Sequence, residues 1–428
     1  MAYVPASSEG GGRPGDSSRP TAYGWVVFAL SFGLLISDYM ARQVLNAVFP
    51  LLKAEWSLND GQLGALSGVV ALMVGLLTFP LSLLADRWGR IRSLTVMAVL
   101  WSIATLLCGM ARSYEEMFVG RLLVGVGEAA YGSVGIAVVL SVFPARMRAT
   151  LASAFIAGGL AGQVLGVGIG GLIAESHGWR MAFNAIALAG LMLALAYPLV
   201  VRQHKIEALG TIPPAATTSR PPIRSVFANP SVLCAYVASG LQYYVAGALP
   251  AWLPSYFGRY YDMPVARAAS VAAIFLMIAG AGMVLCGILT DRAARSRPGS
   301  TPTLGLCFSL GCAAALGLAF VCPAGPLQLA LLGIGAFLCA ASTGPTGAMV
   351  AGLTPLAIHG TAFATLTLAN NILGLAPGPT LTGRLADSIG LLGALQLLPI
   401  PALLAAGAFA LSRRTYLNDL ARTDSRTA

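Results

Sequence analysis

Charge is what this sequence has least of. Only 10% of its 428 residues are Asp, Glu, Lys or Arg, while 57% are hydrophobic. Soluble domains carry about 25% charged residues. A water-soluble chain of this length would have too little polar surface to cover itself, so the two or three soluble domains that length alone suggests are excluded. Histidine is scarcer still, with three residues, His177, His204 and His359, all between apolar runs. The seven cysteines (Cys108, Cys234, Cys286, Cys307, Cys312, Cys322, Cys339) lie inside apolar segments. None forms a C-x-x-C pair or has His neighbours at metal-ligand spacing, so no metal site is expected and the thiols read as small buried hydrophobes. A nucleophile elbow is missing too. No catalytic residue, no cofactor and no enzymatic activity are expected.

What the chain has instead is apolar runs recurring about every 30 residues, each long enough for the ~20 residues a membrane-crossing helix needs. They lie near Tyr23–Phe49, Gly61–Leu84, Ser93–Ala111, Tyr114–Val142, Ala149–Ala174 and Met181–Val201, then near Ser231–Phe257, Val265–Leu289, Thr303–Val321, Leu327–Leu353, Thr361–Leu385 and Leu391–Leu411. The organisation this predicts is a tail at 1–22, a six-helix bundle at 23–202, a Pro-, Thr- and Arg-containing linker at 203–229, a second six-helix bundle at 230–412 and a tail at 413–428. Residues 1–20 are rich in Gly, Ser and Pro without an apolar core and do not read as a cleavable signal.

The net charge of +10 could suggest nucleic acid, but its placement points to a bilayer. Eighteen Lys and Arg residues sit in the tails, the linker and the even-to-odd connectors, six sit in the opposite connectors, and Arg42 and Arg121 fall inside spans, which accounts for all 26. The positive-inside rule then places both termini and the linker in the cytoplasm.

The two halves echo one another. Leu83–Arg87 (L-L-A-D-R) recurs as Ile288–Arg292 (I-L-T-D-R), and Pro144 with Ala149-Thr150 is matched 211 residues later by Pro355 with Gly360-Thr361. Repeats of this kind mark transporters that rock two bundles about a midplane site.

Three motifs carry a family resemblance. The connector Leu83-Leu84-Ala85-Asp86-Arg87-Trp88-Gly89-Arg90 resembles the G-x-L-A-D-R-x-G-R signature of the major facilitator superfamily, without its leading Gly. Gly120-Arg121-Leu122-Leu123-Val124-Gly125-Val126-Gly127-Glu128-Ala129-Ala130-Tyr131 in the fourth run resembles the spinster-like and organic-anion symporter branches. Those branches read N-Y-x-D-R-Q in the first run, where this chain has Asp38-Tyr39-Met40-Ala41-Arg42-Gln43. The resemblance implies an all-α membrane protein of twelve transmembrane helices in two six-helix bundles, a central cavity and alternating access.

The residues themselves nominate a site. A charge at mid-membrane costs at least ~2.5–3.5 kcal/mol, so intramembrane ions face a cavity or a partner. Glu128 and, as its rival, Asp38 are the proton-coupling candidates. Arg42 and Arg121 are the candidates for pairing with them or with an anionic substrate. Arg121 and Glu128 stand seven residues apart, hence on one helix face about 10 Å apart along the axis. Asp86, Arg87, Gly89 and Arg90 form the cytoplasmic gate motif, with Gly89 permitting a tight turn. Asn46, Tyr131, Gln242, Tyr243, Tyr244, Asn370 and Asn371 are the candidates for the substrate cavity. Trp252 and Tyr256 read as interfacial belt residues, and the glycines of the fifth run, Gly162 to Gly171, chiefly as helix packing.

The function these features predict is proton-coupled secondary active transport of a small organic solute, an organic anion or amphiphile, by alternating access in the bacterial inner membrane. The transporter is expected to be a monomer that meets protons, lipid and a small solute but no nucleic acid. The family resemblance suggests a symporter, with antiport and uniport open. A lysolipid or drug exporter of the same fold, and a membrane receptor that binds solute without turnover, stay open as alternatives.

Overall fold

The computed structural model describes residues 22–202, 227, 229–297, 299–355 and 358–427, with the side chains of 86, 145, 149 and 423–427 outside the described set. The expected first tail to residue 21, nearly all of the linker and the Asp86 side chain therefore lie outside the described residues.

Ten helices are long and apolar enough to cross a membrane. Spans 1 to 6 are Ala22–Trp56, Asp60–Ala85, Arg90–Met110, Tyr114–Ser141, Arg146–His177 and Trp179–Val200; spans 7 to 10 are Pro230–Tyr260, Val265–Ser296, Ser300–Val321 and Pro326–Leu353. The stretch that remains crosses twice. It starts at His359, beside Thr354 at the linker end, and reaches Asp387, which bonds Asp60 at the far end. Gly390, at φ +77°, interrupts the helix there, and the chain returns until Asp419 bonds Ser231 at the linker end. Spans 11 and 12 thus complete twelve crossings in two sets of six. Large apolar side chains such as Val321, Leu199 and Met192 are exposed on the outer surface, as contact with lipid requires.

Two spans break at equivalent places. Span 4 is Tyr114–Glu128 followed by Tyr131–Ser141, with its break at Ala129; span 10 is Pro326–Cys339 followed by Thr343–Leu353, with its break at Ala340. Positions 129 and 340 are 211 apart, the offset of the Pro144/Pro355 echo. The carbonyls released are taken up locally: Thr78 Oγ1 donates to Ala129 O at 2.7 Å and Thr343 Oγ1 to Ala340 O at 2.8 Å. Span 11 carries a π segment at Asn370–Leu375. Periodicity did not predict these irregularities, because an apolar run stays apolar through a break.

The glycines of span 5 fall into two faces. Gly158, Gly159, Gly162, Gly166 and Gly170 lie on Phe32, Tyr39, Ile36, Met40 and Val44 of span 1, while Gly168 and Gly171 lie on Ala273 and Ala269 of span 8. A Cβ on Gly162 would stand 2.6 Å from the Ile36 carbonyl oxygen, and one on Gly166 would stand 2.8 Å from Met40 Cα. These backbones touch only because no side chain separates them, the expected small-residue packing.

Two readings of single residues need correction, on the aromatics of span 7 and on the cysteines. Trp252 and Tyr256 are fully buried rather than interfacial. Cys307 is exposed on the outer surface, and Cys234 and Cys322 are half-buried, so only four of the seven thiols are buried. The helix of span 12 runs on to Thr427, through what reads as a polar tail.

Replacing Gly166 by Ala forces span 1 and span 5 apart, an overpacking cost of about 1–3 kcal/mol. Thermal unfolding in detergent should show a lowered midpoint for Gly166→Ala and little change for Gly333→Ala, where an added methyl meets open space. Equal midpoints would refute the close-packed face.

Candidate functional site

A cavity of about 290 Å³ lies between the two halves. Its polar wall comes from the first half: Tyr39, Arg42, Gln43 and Asn46 of span 1, Ser67 of span 2 and Gln163 of span 5. Spacing explains the span 1 contribution, since residues 39, 42, 43 and 46 follow the three- and four-residue steps of one helix face. The amides form a chain. Gln43 Nε2 donates to Gln163 Oε1 at 3.5 Å, Asn46 Nδ2 to Gln43 Oε1 at 2.6 Å, and Ser67 Oγ to Asn46 Oδ1 at 3.2 Å. From the second half come Tyr243, Ala246, Gly247 and Pro250 of span 7, Leu276, Ala279, Gly280 and Met283 of span 8, Cys339 and Ala340 of span 10, and Leu375 and Pro379 of span 11.

Behind Arg42 lies a buried group of charges. Arg42 Nε donates to Glu128 Oε2 at 3.0 Å, and Nη2 stands 3.0 Å from the same oxygen. The Asp38 carboxyl lies within hydrogen-bonding reach of Glu128 and interacts with Arg42. Asp38 is 8% exposed and Glu128 4%. One oxygen of each, Asp38 Oδ1 and Glu128 Oε1, has no partner. Arg42 is partly open to the cavity, and its guanidinium also faces the Tyr39 ring at 5.8 Å. Two carboxyls and one guanidinium thus share a dry pocket, with only the guanidinium reaching the cavity wall.

Arg121 makes no ion pair or hydrogen bond with this group, although it lies near enough for its charge to act on Glu128. The spacing argument puts it on the Glu128 face about 10 Å away along the axis, and its guanidinium turns to the backbone: Nε donates to Leu66 O at 3.3 Å, Nη1 to Ala41 O at 2.9 Å and Nη2 to Arg42 O at 3.0 Å. It is fully buried and does not line the cavity. Three carbonyls from two neighbouring helices outbid a carboxylate on its own helix, because the fork of the guanidinium fits several acceptors at once.

Of the cavity candidates, Asn46 and Tyr243 line the cavity and the others do not. Tyr131 is buried behind it and donates to Ser31 O at 2.7 Å. Gln242 is buried with both amide atoms unpartnered, Tyr244 faces Thr382 at 3.4 Å, and Asn371 donates to its own helix at Thr367 O. Asn370 sits in the π segment with its side-chain oxygen unpartnered. In the gate motif, Gly89 has φ +93°, a left-handed turn that suits glycine, and Arg87 is exposed. Sequence reasoning missed Gln43, Ser67 and Gln163; a polar residue on the cavity face of an apolar helix is a weak signal that only the partner helix makes specific.

A second feature was not foreseen. Asp60, at the far end of span 2, receives both Arg259 nitrogens at 2.7 and 2.6 Å and Lys53 Nζ at 2.5 Å. Asp387 of span 11 accepts the backbone N–H groups of Asp60 at 2.7 Å and Gly61 at 2.8 Å. A carboxylate of the second half thus caps the first turn of span 2, where the free N–H groups favour an anion. Deeper in, Phe49 of span 1 meets Trp252 of span 7 with ring centroids 5.2 Å apart, and Trp252 Nε1 donates to Pro379 O at 3.1 Å. The cavity is closed toward this end.

The family profile described as Major Facilitator Superfamily matches residues 30–339. The chain is 26% identical over 274 residues to the probable L-galactonate transporter of Escherichia coli (strain K12), covering 61% of this chain and 60% of that one. It is 25% identical over 338 residues to the gallate transporter of Pseudomonas putida, covering 71% and 73%. Its match thus spans about six-tenths of the first relative's length. Its fold is similar to a crystal structure of a bacterial homolog of the human lysosomal transporter spinster, in an inward-facing and unoccupied conformation, with TM-score 0.83, 20% identity and coverage of 94% of this chain and 99% of that one.

The two arginines should separate on mutation. Arg121→Lys leaves carbonyls unpaired and should cost about 1–3 kcal/mol of stability, lowering the unfolding midpoint at every solute concentration. An unchanged midpoint with weakened solute binding would move Arg121 into the substrate site.

Proposed function

The chain belongs to the Major Facilitator Superfamily, and from that premise we propose that it is a secondary transporter that moves a small organic anion together with protons. The observation that carries the reading is the position of Arg42, with one edge in a buried carboxyl pair and another on the cavity wall. Arg42 Nε and Nη2 are committed to Glu128, which leaves Nη1 for an anionic solute. With both carboxyls ionised the group carries one net negative charge; one proton makes it neutral. Two carboxyls in contact do not readily ionise together, so they are suited to hold that proton between them. An anion approaching Arg42 competes with Glu128 for the guanidinium, and protonation of Glu128 releases it. Proton and anion therefore each favour binding of the other, a reciprocal coupling. The names of the relatives, L-galactonate and gallate transporters, support an anionic cargo.

The charge distribution of the connectors supports cytoplasmic termini in a bacterial inner membrane. The far end is then external, and the contacts described there close the external side above the cavity. Asp86, Arg87, Gly89 and Arg90 would carry the opposing closure at the cytoplasmic end in the other state.

Two experiments test this. In proteoliposomes, Glu128→Gln should lose accumulation driven by an acid-outside gradient while keeping solute exchange, because Gln keeps shape and hydrogen bonds but releases no proton. Loss in Asp38→Asn alone would move the proton site to span 1, and full accumulation in both variants would refute coupling here. Second, Gly64 and Gly68 of span 2 lie against the backbone of Pro379 and Ala376 of span 11, contacts between halves. Gly68→Val should disfavour external closure and raise the labelling of a cysteine placed in the cavity by an external, membrane-impermeant thiol reagent. Unchanged labelling would show that this seam does not part.

A further inference from the structure

The cavity's two faces differ in kind, and the difference bears on which anion is carried. The side formed by spans 1, 2 and 5 carries the chain of hydrogen-bonding side chains, with Ala71, Ile156 and Leu160 beside it. The side formed by spans 7 and 8 presents Ala246, Gly247, Pro250, Leu276, Ala279 and Met283. Tyr243 supplies the hydroxyl of that half. Pro250 and Pro254 lack an N–H and so leave the Ala246 and Pro250 carbonyls without their helical donors, at most two backbone acceptors for a solute hydroxyl on that wall. We infer, on the basis of the organic-anion reading above, that the cargo is a compact carboxylic acid with one apolar flank, an aromatic or short alkyl acid, and that polyhydroxylated acids of equal charge are rejected by the wall of spans 7 and 8.

The physical reason is desolvation. The carboxylate lies toward Arg42, and a second polar group can join the Gln163–Gln43–Asn46–Ser67 chain. The remaining flank must then face carbon. A ring or alkyl face gains from that contact, as most ligand sites are apolar with a few placed polar groups. A sugar acid carries hydroxyls on every side of its chain; those facing spans 7 and 8 give up water for nothing, each at a cost of about tenfold in affinity. Size acts in the same direction. A volume of about 290 Å³ is at the lower end for small-molecule sites, roughly 300–1,000 Å³, so the flank is a ring or a short chain.

The test uses benzoate and D-gluconate, two monoanions that differ in the flank. Counterflow of each is measured at pH 7 in proteoliposomes of the full-length chain, with protein-free vesicles subtracting passive leak. Benzoate should exceed gluconate by at least about tenfold, the cost of one stranded hydroxyl. Met283→Gln places an amide on the apolar wall at similar volume and should lower the benzoate-to-gluconate ratio several-fold; because the ratio is taken within one preparation, differences in folded amount cancel. Gluconate equal to or above benzoate, or a ratio untouched by Met283→Gln, overturns the apolar-flank assignment while leaving anion transport in place. Counterflow of neither anion, in wild-type protein whose unfolding midpoint neither raises, removes the organic-anion reading itself.

Discussion

An ion inside an apolar bundle must be fully paired or held for use, and the two intramembrane arginines of the first half divide along that line. Arg121 spends its guanidinium on three backbone carbonyls from spans 1 and 2. It ties three helices together and has nothing left for a solute. Arg42 spends two nitrogens on one oxygen of Glu128 and keeps contact with the cavity. Removing either partner of a buried pair strands the other at a cost of several kcal/mol, so Arg42, Glu128 and Asp38 form one unit, whose charge one proton would set on the proposed function. The cavity, the helix breaks and the glycine seam are arranged around that unit.

The halves share a frame and differ in chemistry. The break of span 4 at Ala129 and that of span 10 at Ala340 occupy the same place in each repeat. The residue before the break is Glu128 in the first half and, 211 positions on, Cys339 in the second. A position that carries the buried carboxyl on one side thus carries a thiol that lines the cavity on the other. Helix irregularity in a membrane is tolerated only inside protein or along a cavity, and both breaks obey this. Protonation chemistry is concentrated in the first half, while the second contributes shape and an apolar face.

How much of this was legible depended on the range of the signal. Span count, the two-bundle division and the packing role of the span 5 glycines are local properties of composition and period, and the sequence carries them openly. Glu128, Asp38 and Arg42 were legible as a set because charge is rare enough in these runs for each instance to need an explanation. Their pairing was not, since Arg121 is nearer to Glu128 along the helix and only tertiary packing hands its donors to Ala41, Arg42 and Leu66. Tyr244 and Gln242 looked as suitable as Tyr243, yet successive helical residues point about 100° apart and only Tyr243 reaches the cavity. Trp252 misled for a related reason: an aromatic near a span end reads as an interfacial anchor, and burial against Phe49 comes from the opposite half.

The far-end contacts explain how such a protein can close without trapping itself. A seam that must part in each cycle cannot be a deep interlocked core, because separating one exposes large apolar areas at about 25 cal/mol per Å². The seam between spans 2 and 11 brings Gly64 and Gly68 against backbone, where little side-chain surface is at stake, while a large apolar contact at this end is that of Phe49 with Trp252 between spans 1 and 7. The specificity of closure rests on Asp60 with Arg259 and Lys53, and on Asp387 at the first N–H groups of span 2. These groups stand at the helix ends, where water is at hand to solvate both partners once they separate. The attraction gained on closing is then largely returned as hydration on opening. A contact of that kind fixes the geometry of the closed state at small net free energy, which on the proposed function leaves the balance between states to a proton and an anion at Arg42.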